Sequence, residues 1–153
     1  MIVLAVAKVA AVLCDGLLAG IFLGYRAGPQ PALHKLDSSS FIQFQQAVHV
    51  RYVRFMPILI LGALLAAIVW LVMIQPRWST PFWLVASSVA GIMLIAAITR
   101  AVSVPLNNRL MTWSAEAPPA DLRKVWEPWD RVNTIRAFLA TSVLFLEAVA
   151  LSL

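Results

Sequence analysis

The chain has 153 residues, 61% hydrophobic and only 12% charged, with a formal net charge of +5 and a single cysteine. One domain fits that length, but so large an apolar share cannot be hidden in one soluble core, where roughly 25% of residues are charged. No basic segment interleaved with aromatics is present, which excludes a nucleic-acid binder, and the lone Cys14 excludes an internal disulfide or a CxxC redox pair.

The first apolar run is Ile2–Leu23. Lys8 lies inside it, no basic segment precedes it and no A-x-A site ends it, so it reads as a retained transmembrane helix and not a cleaved leader. Gly16, Gly20 and Gly24 recur every four residues and predict a close-packing face. Asp15 lies mid-span, where an unpaired charge costs on the order of 3 kcal/mol or more. It needs a polar partner or a place in a site, and Lys8, two turns away, is a poor match because it can snorkel outward.

Gly28-Pro29-Gln30-Pro31 ends this helix, and Asp37 or one of Ser38–Ser40 can cap the next. An amphipathic extension, Phe41–Phe55, then leads into the second span, Met56–Ile74, with a kink expected at Pro57. On the extension Gln45, His49 and Tyr52 share one face, while Arg51 and Arg54 point toward headgroups or water. The third span, Phe82–Val104, follows a short turn at Pro76–Pro81. Ser87 and Gly91 give it a small-residue packing face, Arg100 lies one turn before its end, and Pro105 stops or kinks it.

A loop over Leu106–Val132 is expected next, broken by Pro118-Pro119 and holding a short helix from Asp121 to Trp126, with Pro128 starting the last helix. In that helix Trp129, Asn133 and Arg136 form one stripe, flanked by Asp130 and Arg131 and continued by Ala140, Val143 and Glu147. Glu147 stands eleven residues beyond Arg136, about 16 Å by helical rise, so it must bond to another helix. Trp113, Trp126 and Trp129 serve either as interfacial anchors or as flat surfaces for an aromatic ligand.

These runs define an all-α fold, an integral membrane four-helix bundle in a single domain, with spans at about 2–23, 56–74, 82–104 and 133–153. Lys and Arg concentrate in the connectors after the first and third spans, which places those connectors in the cytoplasm and both termini outside the cytoplasmic membrane. That topology also puts Gln45–Tyr52, Asn107–Arg109 and Asn133–Arg136 on one side. The bilayer is the certain partner. Further helices from a homo-oligomer are one way for so short a chain to close a pocket.

The pattern VPLNNRL, with Trp113 behind it, followed by WDRVNTIRAFLATSVLFLEAVAL, resembles the small four-helix membrane family that includes the anthrone oxygenases of polyketide pathways. The resemblance extends over nearly the whole chain and marks Asn107, Asn108, Arg109, Trp113, Trp129, Asn133 and Arg136 as family-like positions, with Gln45 and His49 a looser match. It implies oxidation of an anthrone methylene to a quinone carbonyl by O2, without flavin or haem, and the chain shows no Gly-rich dinucleotide motif or thiolate cluster. Such a reaction needs a base, donors for an oxyanion and a dry pocket. His49 is the expected base with Asp130 in reserve, and Asn107, Asn133, Arg109 and Arg136 are the expected oxyanion donors. Gln45, Tyr52, Arg100, Asn108, Trp113 and Trp129 are expected to bind the substrate. No cofactor and no metal site is expected; the alternative within catalysis is a metal ion near His49. Outside it stands a non-enzymatic transporter or assembly subunit, in which Asp15 and Glu147 would carry protons.

Overall fold

All 153 residues are described in the computed structural model, and every regular element is helical. The order is α1 (Ile2–Ala27), α2 (Pro29–Leu33), α3 (Ser38–Met73), α4 (Thr80–Ile98), a π-helical turn (Thr99–Ser103), α5 (Val104–Leu110) and α6 (Leu122–Ser152). Four continuous helical stretches are long and apolar enough to cross a membrane: Ile2–Leu33, Ser38–Met73, Thr80–Leu110 and Leu122–Ser152. The protein is therefore a multi-pass membrane protein built as a four-helix bundle. α1 and α4 stand at opposite corners, each packed against both α3 and α6.

The elements run longer than the apolar patterns predict. α3 passes through Pro57 without a break, joining the amphipathic extension and the second span in one helix of 36 residues. Asp37 caps it, its carboxylate accepting from the Ser40 amide at 2.9 Å and the Ser40 hydroxyl at 2.8 Å. Those donors hold the exposed Asp37 carboxyl below the usual carboxylate range. The third span also continues, through the π turn into α5, so the expected loop shrinks to residues 111–121. Pro128 does not start α6 but lies inside it. A proline there removes a single backbone hydrogen bond, and Pro128 is exposed, so water or headgroups can satisfy the freed carbonyl.

Two packed layers result. Along the spans, Ala11, Ala63, Ala67 and Ala140 are fully buried, and such small residues let helix backbones approach where lipid offers no hydrophobic drive. Around the connector end, Tyr25, Leu33, Phe41, Ile42, Leu110, Leu122 and Trp126 form a second cluster. The outer surface is apolar, with Ile58, Phe138 and Phe145 well exposed, as lipid contact requires.

The glycine face of α1 is not what the spacing suggests. A Cβ on Gly16 would meet Leu144 Cδ1 at 3.8 Å, but Gly20 and Gly24 face open space. The close approach is at Gly91 of α4, where a Cβ would lie 2.6 Å from Val143 Cγ2 of α6. Asp15 and Glu147 are both fully buried and are each other's neighbours across the α1–α6 seam. Lys8 turns away from Asp15 and lies 5.6 Å from the centre of the Trp70 ring.

Candidate functional site

A cavity of about 450 Å³ lies where the two clusters meet, walled by α1, α3, α4, α5 and α6. It receives nine of the twelve side chains singled out by sequence: Gln45, His49, Tyr52, Arg100, Asn107, Asn108, Trp129, Asn133 and Arg136. Arg109, Trp113 and Asp130 do not line it. Arg109 is exposed on the other face of α5. Trp113 packs behind Trp126, ring centroids 6.3 Å apart. Asp130 is turned to α2, its carboxylate 3.2 Å from His34 Nε2.

The polar end of the cavity is built around Arg136, which is 5% exposed. Its Nη2 donates to Asn133 Oδ1 at 3.3 Å and its Nη1 to Thr99 Oγ1 at 3.3 Å. The hydroxyl of Thr99 donates onward to the Ile95 carbonyl at 2.7 Å. Asn133 is anchored from the other side, its Nδ2 donating to Gln30 Oε1 at 3.1 Å, while Gln30 Nε2 reaches the Asp130 carbonyl at 3.3 Å. The guanidinium lies over Phe22 at 4.8 Å and near Trp129 at 5.5 Å. Every oxygen that receives a bond from it is neutral, its Nε has no partner, and the two ion pairs of the chain, His34–Asp130 and Arg131–Glu127, lie elsewhere. Arg136 is thus a buried cation without a counter-ion.

Beside it stands an aromatic wall. Trp126 and Trp129 stack with centroids 5.0 Å apart and planes 20° apart, and Tyr25 meets Trp129 edge-on at 5.4 Å. Trp129 is fixed by its Nε1, which donates to Asn107 Oδ1 at 2.9 Å. Opposite, Tyr25 donates to Gln45 Oε1 at 2.8 Å. α5 is held in place by Gln46, whose Nε2 donates to the carbonyls of Leu110 and Trp113 at 3.0 and 2.9 Å. His49 half-faces the cavity with no hydrogen-bond partner on its ring. No three His, Cys, Asp or Glu side chains gather anywhere in the chain, so His49 lacks the companions a metal centre draws together.

Sequence reasoning missed Tyr25, Gln30 and Thr99. Thr99 stands beside the charged Arg100, and Tyr25 falls just beyond the first apolar run, at the start of the connector. Gln30 sits between two prolines and carried no signal.

Stacked aromatics, amide groups and an unpaired guanidinium thus line one cavity of a four-helix membrane bundle. The family model for anthrone oxygenase matches residues 44–146, and the chain belongs to that family. Neither curated proteins nor solved structures yield a match.

Proposed function

We propose that this protein is a membrane oxygenase that oxidises a lipophilic, anthrone-like aromatic with O2. The observation that carries the reading is Arg136: a guanidinium in an apolar setting with no carboxylate partner calls for an anion supplied by the substrate. An anthrone has an acidic methylene, because loss of that proton makes its central ring aromatic and moves the charge to the carbonyl oxygen. His49, whose ring is free, accepts the proton. Arg136 and Asn133 hold the oxyanion, and Trp126 and Trp129 align the rings. The carbanion then adds O2 at the methylene carbon to give a peroxide anion, His49 returns its proton to form the hydroperoxide, and loss of water with the second methylene hydrogen leaves the quinone: one O2 is consumed and one H2O released per substrate.

The proposal includes no resident metal or cofactor, since the electrons for O2 come from the substrate. It also places the protein in the cytoplasmic membrane, with both termini outside and the cavity toward the cytoplasmic side, as the basic connectors favour. The test is O2 uptake by detergent-purified protein supplied with anthrone, before and after chelation, with quinone formation followed alongside. Uptake that survives chelation and matches quinone formed supports the reading. Uptake no faster than the uncatalysed reaction sinks it for this substrate, and uptake lost on chelation and restored by one metal moves the function to a metal-dependent oxidase.

A further inference from the structure

The polar end of the cavity is deep, and its open side lies along α3 and the α4–α5 stretch. Its exposed lining residues fall on two helices only: Val53, Pro57 and Leu61 on α3, and Arg100 and Asn108 on the π turn and α5. Every lining residue from α1 and α6 is buried or half-buried. The mouth is therefore a slot between α3 and the α4–α5 stretch. From Val53 to Leu61 it runs about 12 Å along the helix axis. The α3 residues beside and above it, Ile58 and Leu65, are 72% and 54% exposed and apolar.

Both edges of the slot depart from a regular helix. Pro57 cannot donate to the Val53 carbonyl, and the π turn at Thr99–Ser103 inserts an extra residue into the opposite edge. Pro57 and, from the π turn, Thr99 and Arg100 all line the cavity. An ion cannot wait in hydrocarbon outside such a mouth, because a charge there costs several kcal/mol, whereas an uncharged phenol or anthrone dissolves there readily.

We propose that the cavity draws its ligand sideways from the bilayer through the α3/α4–α5 slot, as an uncharged weak acid that ionises only on reaching Arg136. The class of ligand is a flat, lipid-soluble aromatic with one ionisable group, its proton passing to His49. This deepens the oxygenase reading and rests on it for the ligand's chemistry.

The test separates the two claims because it uses no oxygen. Protein in phosphatidylcholine vesicles under argon is mixed with 2-hydroxyanthraquinone or with anthraquinone-2-sulfonate, which is always charged, and tryptophan quenching is followed by stopped flow. The hydroxy compound is expected to quench saturably and the sulfonate not at all, although its charge suits Arg136. Leu61→Phe, at the exposed rim of the slot, slows association by about tenfold, and Leu65→Phe, on the lipid face outside the slot, leaves it within about twofold. Val53→Phe is a second narrowing variant should Leu61→Phe not fold. Equal quenching by the sulfonate, an unslowed rate in folded narrowing variants, or quenching by neither compound would overturn lateral access. Binding of the hydroxy compound with no O2 uptake in the aerobic assay would uphold lateral access and sink the oxygenase reading.

Discussion

Replacing Arg136 with Met should separate activity from stability. Met keeps the length of the chain and removes the charge. The folded protein loses two hydrogen bonds from a charged donor, each about 1.5–3 kcal/mol, and a ring contact of about 2 kcal/mol at most. It is also relieved of a buried charge whose desolvation costs several kcal/mol and which no carboxylate offsets. These terms nearly cancel, so the unfolding free energy should move by no more than about 2 kcal/mol in either direction. Catalysis has no such compensation: losing one preorganised oxyanion donor costs about 10²–10³ in kcat, or about 3–4 kcal/mol. Thermal unfolding in detergent and O2 uptake with anthrone read the two effects. Arg109→Met is the control, with the same change of charge outside the cavity, and both readings should hold within about 0.5 kcal/mol. If Arg136→Met lowers stability as much as it lowers activity, Arg136 is a structural strut and the oxyanion argument fails.

Other variants probe the walls. Trp129→Phe keeps the ring but drops the bond to Asn107, worth about 1 kcal/mol, and should raise KM about fivefold with kcat little changed; an unchanged KM would remove Trp129 orientation from the binding argument. Tyr25→Phe leaves buried Gln45 without its donor and should destabilise by about 1–3 kcal/mol in a thermal melt. Gly91→Ala forces α4 from α6 at Val143, costing about 1–3 kcal/mol, and Val143→Ala should restore most of it; a failure of this double variant to recover would show that the seam does not yield locally. The Asp37 cap gives a pH dependence. Because folding lowers its pKa, its contribution is complete above the ordinary carboxylate range and disappears as pH falls through and below that range. A carboxyl NMR titration of Asp37 should show the depressed midpoint, and Asp37→Asn should abolish the dependence at the start of α3.

Much of the site was legible because a helix repeats every 3.6 residues. Gln45, His49 and Tyr52 fall on one face of α3, as do Trp129, Asn133 and Arg136 on α6, and the cavity uses both faces. The same geometry explains what the contiguous motif could not do. Neighbours on a helix point about 100° apart, so Asn107, Asn108 and Arg109 cannot all enter one cavity, and Asp130 is turned off the stripe that carries Trp129. Tyr25, Gln30 and Thr99 were hidden for a different reason. Their roles depend on the register between helices, and periodicity within one helix carries no information about where its neighbour stops. The glycine repeat of α1 misled likewise: spacing defines a face, but only packing decides whether that face meets protein or lipid.

The placement of Asp15, Arg136 and Glu147 bears on how the chain comes to lie in the membrane at all. α6 holds Arg136 and Glu147 and is the least apolar of the four spans. Inserted alone it would expose both groups to lipid, and α1 alone would expose Asp15. Each finds its setting only when the other is present: Glu147 beside Asp15, and Arg136 over Phe22. α1 and α6 therefore depend on one another across the length of chain that separates them. Until α6 arrives, α1 is a helix whose Asp15 carboxyl is open to lipid, recognisable to any quality-control machinery that binds polar groups in the bilayer. A chain cut short before α6 should remain in that state and be removed, however apolar its remaining helices are.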